Sequence, residues 1–190
     1  MKDPIRLGMV GGGEGAFIGQ VHRMAARLDG RYHLVAGALS SRADVSRQSA
    51  EALGIAADRA YTDVGQMAVA EAARVDGIEA VAIVTPNHMH VGPAKAFLKA
   101  GIHVICDKPL ASTLEDALDL ASLEPANGAR FLLTHNYTDY PMVRQARRMV
   151  SEGRLGHLRL VQVEYAQDWL TEPTSNKQAD GRTEPARSGA

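Results

Sequence analysis

The stretch LGMVGGGEGAFIGQVH, residues 7–22, decides the fold. An apolar run from Leu7 to Val10 meets a cluster of glycines. That cluster opens into a helical pattern through Val21, His22, Met24, Ala25 and Leu28. Gly11-Gly12-Gly13-Glu14-Gly15-Ala16 fits the pattern G-x-G-x-x-[G/A]. In such a loop one glycine makes the tight turn after a strand, and the next lets the backbone approach a pyrophosphate. A third small residue, here Ala16, lets helix and strand pack closely. The free N–H groups at the start of the helix then attract phosphate. A glycine-rich turn without a ligand is the competing reading. The position after a strand and before a helix weighs against it.

Outward from this stretch, strands and helices alternate. Ile5–Val10 reads as the first strand and Gly15–Leu28 as its helix; His33–Leu39 is a second strand. Arg42–Leu53 is a helix with Ser40 or Ser41 as its cap. Arg59–Thr62 reads as a short third strand, and Asp63 caps a helix running to about Ala73. Ala80-Val81-Ala82-Ile83-Val84 is continuously apolar, as expected of a strand buried on both faces. A helix over His90–Ala100 stops at Gly101, and Ile102–Cys106 is the next strand. Ser112 or Thr113 opens a helix to Leu123, and Arg130–Leu133 is a sixth strand. This spacing predicts an α/β fold with a doubly wound parallel sheet, a Rossmann domain over residues 1–136. Beyond it, Pro141–Glu152 is an amphipathic helix, and Leu158–Tyr165 reads as the first strand of a different, antiparallel sheet. Residues 137–170 are therefore expected to begin an α+β substrate domain that is cut off. Residues 171–190, whose only apolar side chains are those of alanine and proline, form a polar tail expected to be poorly ordered. The unpaired edge of Leu158–Tyr165 leads us to expect a homo-oligomer.

Composition narrows the class. The chain has 190 residues, 45% of them apolar, enough for a sizeable core. Its 21 Lys and Arg against 22 Asp and Glu, with no basic run, give no reason to expect nucleic acid or a membrane surface. A single cysteine, Cys106, cannot form an internal disulfide, and no export signal is evident. Both fit a cytoplasmic location. His88, His90 and Cys106 match no standard zinc spacing, so no metal is expected.

Candidate site residues gather at the strand ends. In an open α/β sheet, ligands bind beyond the carboxyl ends of the strands. The first strand leads into Gly11, Gly13, Gly15 and Ala16. The second ends at Ser40-Ser41-Arg42, the fourth at Thr85-Pro86-Asn87-His88-Met89-His90, and the fifth at Asp107-Lys108-Pro109. NAD binding usually places an acidic residue at the end of the second strand. Here hydroxyls and a guanidinium stand instead, which suit a 2′-phosphate, so the reading favours NADP over NAD. The competing reading is that the serines merely cap the helix and Arg42 is solvated.

Taken together, the glycine loop with Gly19-Gln20-Val21-His22, Thr85-Pro86-Asn87-His88-Met89-His90 and Asp107-Lys108-Pro109 resemble the Gfo/Idh/MocA oxidoreductases. That family includes glucose–fructose oxidoreductase and inositol 2-dehydrogenase. His135-Asn136-Tyr137 and Gly153-Arg154-Leu155-Gly156 extend the likeness to about residue 170. Asp107 departs from the family's Glu-Lys-Pro, and the glycine loop is longer than the commonest form. The resemblance implies hydride transfer between a sugar-like secondary alcohol and a nicotinamide ring. It implies Lys108 as the catalytic lysine, stabilising a developing alkoxide. Thr85, Pro86 and Asn87 would line the nicotinamide ribose, and the Lys108–Pro109 peptide would be cis. His90 stands at the same edge, opening a helix and packing. The family's proton-transferring aspartate and histidine have no match here. The chain alone is therefore expected to be inactive. A non-catalytic nucleotide-binding module is the alternative.

Overall fold

The computed structural model describes residues 3–168, 171 and 172. Five parallel strands make the sheet: β1 (Ile5–Gly11), β2 (Tyr32–Ala38), β3 (Ala80–Val84), β4 (His103–Cys106) and β5 (Phe131–Leu133), in the order β2-β1-β3-β4-β5. The chain runs outward from β1 to β2, then returns across β1 to lay down β3, β4 and β5 on the other side. The strand order therefore reverses between β1 and β3, the place where an open α/β sheet forms a crevice.

All five residues of β3 are buried, as its unbroken apolar run requires. Side chains alternate between two cores. Val81 and Ile83 face one core, with Val104 and Cys106 of β4, Met67 of helix α3 (Val64–Ala73) and Phe97 and Leu98 of α4 (Val91–Lys99). Ala80, Ala82 and Val84 face the other, with Met9 of β1 and Ala50 of α2 (Ala43–Ala52). Ile18 and Ala26 of α1 (Phe17–Arg27) pack against this second core. Burying one such side chain as large as Phe97 contributes about 1.5–3 kcal/mol.

Local signals set most boundaries. Asp63 accepts from the Gln66 amide at 2.7 Å and opens α3. Thr113 Oγ1 accepts from the Asp116 amide at 3.1 Å and opens α5 (Leu114–Ala121). At the end of α4, Gly101 takes a φ of +78°, and the Ile102 amide reaches back to the Phe97 carbonyl at 2.9 Å.

Three expectations are corrected. Arg59–Thr62 is not a strand: Ala57–Arg59 is a single 3-10 turn, and only Ala60 bridges β2, at Gly37. The side chains on either side of that bridge are committed to Glu71 of α3. Arg59 grips the Glu71 carboxylate with two nitrogens, and Tyr61 donates its hydroxyl at 2.9 Å. The cap of α2 is Arg42, not a serine, and no side chain caps it; Ser40 Oγ accepts from the Arg42 amide at 3.2 Å instead. Leu158–Tyr165 is not a strand, because no neighbouring strand among the described residues lies beside it. Before that segment, α6 (Pro141–Ser151) forms as the pattern predicts. Trp169 and all of the 171–190 tail except Thr171 and Glu172 lie outside the described residues. No described helix is long and apolar enough to cross a membrane.

Candidate functional site

The crevice between the ends of β1 and β3 is built from backbone first. Gly11 ends β1 opposite Val84 of β3, with a φ of +77°. A Cβ there would stand 3.0 Å from the Val84 carbonyl oxygen, so only glycine passes the two strand ends at this spacing. Gly12 meets Gly19 backbone to backbone, and a Cβ on Gly19 would overlap the Gly12 Cα. The close approach of helix and strand, expected at Ala16, thus falls to Gly19 in the first turn of α1. Ala16 is instead the residue that caps the helix, its amide bonded to the Gly13 carbonyl at 3.0 Å. The signal for Gly19 was its place before Gln20-Val21-His22; a fingerprint read at fixed spacing stops three residues short of it.

Three contacts hold the glycine loop, and none is visible in the pattern. The Gly13 amide donates to the Leu39 carbonyl at 3.1 Å. The Glu14 amide donates to Ser49 Oγ of α2 at 3.0 Å. Arg23 of α1 donates to the Gly12 carbonyl at 2.6 Å. Burial and the neighbouring Arg27 together pull the Arg23 guanidinium below its ordinary value. Ser46, fully buried, accepts from the Leu39 amide and donates to the Tyr61 carbonyl, fixing the end of β2. Ser46 and Ser49 are three apart on one face of α2 and turn inward, an arrangement that polar residues in an amphipathic helix do not advertise.

The helix that follows the loop is left open. No side chain caps α1, and its first turn holds no acidic residue. Its leading N–H groups therefore have neither a capping side chain nor a first-turn carboxylate to answer them. Beside them Gly15, with a φ of +74°, has nothing within 4 Å of a Cβ position. This cradle suits an anion.

Around it stand the other predicted residues. Arg42, exposed beyond β2, forks onto Asp44 at 2.6 and 3.3 Å, and the pairing raises its pKa. Ser41 is exposed beside it and Ser40 half-buried. Thr85 Oγ1 donates to the Met89 carbonyl at 3.0 Å, and Pro86 and Asn87 lead a short 3-10 turn over Asn87–Met89. His90 is only 1% exposed. One ring nitrogen lies 2.7 Å from the Pro109 carbonyl oxygen and the other 3.0 Å from that of Thr85. The Lys108–Pro109 peptide is cis, and Lys108 is exposed.

Asp107 is more enclosed than its neighbour. Burial works to raise its carboxyl. The nearby His22 ring, the Thr134 hydroxyl and the Lys108 amide together outweigh burial and hold it below the ordinary carboxylate range. Thr134 Oγ1 donates to Asp107 at 3.0 Å, and His22 Nε2 lies 3.8 Å away. Asp107 thereby connects α1, the end of β4 and the residue after β5. Burial, then the charge on Asp107, pushes the adjacent Cys106 thiol up to about 12. Among the described residues, no group of three or more His, Cys, Asp or Glu side chains is placed to hold a metal ion.

Residues 5–135 match the model of the Gfo/Idh/MocA oxidoreductases, described as an oxidoreductase family with an NAD-binding Rossmann fold. The chain belongs to this family. It is similar to an oxidoreductase from Sinorhizobium meliloti of known structure, with 60% identity and a TM-score of 0.84 over 90% of this chain and 47% of that one. A solved inositol dehydrogenase homolog from Azotobacter vinelandii, complexed with NAD+, is 38% identical with a TM-score of 0.91; the match covers 100% of this chain and 49% of that one. Levoglucosan dehydrogenase of Pseudarthrobacter phenanthrenivorans is 30% identical over 90% of this chain and 43% of its own length. The chain thus spans about half the length of the relatives it matches.

Proposed function

We propose that this chain is the cofactor-holding part of an NAD(P)-dependent oxidoreductase. Its reaction moves hydride between nicotinamide and a sugar, polyol or related secondary alcohol. The observation that carries the reading is convergence. The glycine loop, Thr85–Asn87 and Lys108 all stand at the carboxyl ends of the central strands, beside an uncapped α1. The inositol dehydrogenase homolog and levoglucosan dehydrogenase, by their names, support a polyol or sugar as substrate. Residues 1–136 would form the nucleotide domain, and 137–170 the start of the substrate domain.

In this reading Gly15 and the leading amides of α1 hold the pyrophosphate, Gly13 and Ala16 shape the loop that lines it, and Gly11 keeps the floor of the crevice open. Thr85, Pro86 and Asn87 line the nicotinamide ribose. Ser40, Ser41 and Arg42 receive the adenosine ribose. A bound nicotinamide supplies the hydride acceptor or donor. Lys108 places an ammonium beside the substrate hydroxyl, where it favours loss of that proton and stabilises the alkoxide as it forms. Asp107 keeps the Lys108 backbone in register with α1 through His22. Arg42 decides between NAD and NADP: its guanidinium must exchange Asp44 for a 2′-phosphate, a trade of one bidentate partner for another.

Calorimetric titration with NADH and NADPH tests this reading. Arg42→Ala should weaken NADPH by about 1.5–3 kcal/mol, the worth of a charged hydrogen-bonded contact, and leave NADH nearly unchanged. Binding of neither dinucleotide at millimolar concentration would refute the reading. Binding without NAD(P)+ reduction by the full-length protein, over a panel of sugars and inositols, would favour a non-catalytic nucleotide module.

A further inference from the structure

We infer that Ser49 of α2 is a positioning residue for the phosphate loop: its hydroxyl engages the Glu14 amide inside the fold, so that phosphate is met by Gly15 and the first turn of α1. The inference rests on the dinucleotide reading above. Three amides of the loop are committed to protein acceptors. Glu14 donates to Ser49 Oγ at 3.0 Å, Gly13 to the Leu39 carbonyl at 3.1 Å and Ala16 to the Gly13 carbonyl at 3.0 Å. Each amide carries one hydrogen, so a donor engaged in this way is withheld from a ligand. The amides of Gly15, Phe17 and Ile18 have no hydrogen bond to another described residue. They are the donors that the loop and the opening of α1 still offer.

The Ser49 hydroxyl is held where this division requires it. Ser49 is 5% exposed, on the inner face of α2. A Cβ on Gly13 would stand 2.8 Å from Ser49 Oγ and 2.8 Å from the Leu39 carbonyl oxygen, so the loop lies against α2 with no room for a side chain between them. Ser46, three residues earlier on the same face, holds Leu39 from its other side. Its Oγ accepts from the Leu39 amide at 3.0 Å and donates to the Tyr61 carbonyl at 2.9 Å. Leu39 directly precedes Ser40-Ser41-Arg42. One face of α2 therefore fixes two things together: the loop that would receive the pyrophosphate and the strand end that would receive the adenosine ribose. ADP-ribose spans both, which makes it the probe of choice.

Amide NMR and calorimetric titration test the inference. In the unmodified chain the Gly13 and Glu14 amides should exchange slowly with solvent. Addition of ADP-ribose should move the Gly15, Phe17 and Ile18 amide protons downfield, as a new hydrogen bond does, and leave Gly13 and Glu14 protected. Rapid exchange at Glu14, or a downfield shift of Glu14 in place of those three, would overturn the inference, and neither result depends on a variant folding. Ser49→Ala should release the Glu14 amide to exchange and weaken ADP-ribose about three- to tenfold, the effect of losing one hydrogen bond that orders the loop. Affinity within twofold of the parent with Glu14 released would show that the bond serves the fold alone. A loss of affinity with Glu14 still protected would place the cause elsewhere. Either result overturns the role given to Ser49. Failure of the unmodified chain to bind ADP-ribose at all would instead remove the dinucleotide reading on which the inference stands.

Discussion

Helices α4 and α6 are similar in length and both amphipathic, yet they meet opposite fates. On α4, Val91, Ala94, Phe97 and Leu98 are buried against β3 and β4. On α6 no residue is buried: Met142 is 77% exposed, Val143 45% and Val150 43%. A helical pattern in the sequence is enough to mark an apolar face. It takes a surface opposite that face to turn the pattern into stability, since most helical stability comes from packing rather than propensity. In residues 5–135 the sheet provides that surface on both sides. From Tyr137 to Tyr165 every apolar side chain except the half-buried Met149 is exposed, and the Tyr137 ring touches those of Tyr140 and Tyr165.

The contrast is tested hardest where the sheet-backed part is most committed. Glu71 is 1% exposed and answers Arg59, the Tyr61 hydroxyl and, at 3.1 Å, the Ile78 amide. Glu71→Ala leaves the buried Arg59 with only the exposed Asp76 carboxylate, 3.7 Å away, as counter-charge and should cost about 3–5 kcal/mol in chemical denaturation. Phe97→Ala, at a fully buried site on α4, should cost a similar amount, about 3–5 kcal/mol. A loss under about 1 kcal/mol for either would mean that this core relaxes far more readily than its packing implies.

Next comes the glycine contact at the crevice. Gly19→Ala sets a methyl group against the Gly12 backbone, where no flexible side chain can yield. Overpacking of this kind should cost about 1–3 kcal/mol and weaken NADH as the loop shifts. Gly92, in α4 with open space around it, is the control: Gly92→Ala should instead stabilise by about 0.5–1 kcal/mol. If both glycines tolerate alanine equally, the Gly12–Gly19 approach does not constrain the loop.

A smaller effect is expected from acid. The Asp107 carboxyl is held below its ordinary value in the fold, so its contribution to stability is full above the unfolded pKa of about 3.9. That contribution is lost as pH falls through the lower folded value. Asp107→Asn should therefore be less stable than the parent at neutral pH, with the gap closing as the solution is acidified below about pH 4. A gap that stayed constant across that range would show that Thr134 and His22 do not favour the ionised form.

These tests also separate what the sequence announces from what it conceals. The β3 run, the Asp63 and Thr113 caps and the glycine loop are local signals, each readable within a few residues. So were the places of Thr85–Asn87 and Asp107–Pro109, because strand ends follow from strands. Arg59 and Glu71 are 12 residues apart and polar, so nothing local says that they are paired and buried. Reading Arg59–Thr62 as a strand took the short apolar segment at face value and missed that its side chains were spoken for. Ser46 and Ser49 look like surface residues in a string of letters, and the fold turns both inward. Leu158–Tyr165 has strand-like composition, but a strand is a relation between two segments, and composition describes only one.

The smallest predicted effect is the one that isolates that relation. Met142→Ser and Val150→Ser remove apolar groups from the marked face of α6, the same kind of change that would disrupt α4. Because Met142 is largely in water and Val150 is exposed at the surface in the folded chain, truncating them gives up little burial and opens no cavity. Each should change stability by no more than about 0.5 kcal/mol, the range of ordinary surface substitutions. Measured beside Phe97→Ala, the pair would show that two amphipathic helices differ several-fold in what their apolar faces contribute. A cost above about 1.5 kcal/mol for either serine variant would mean that the face is covered in solution, and the contrast between α4 and α6 would then fail. Repeating the comparison across a range of chain concentrations tells covering by the chain itself from covering by a second copy, since only self-association makes the cost depend on concentration.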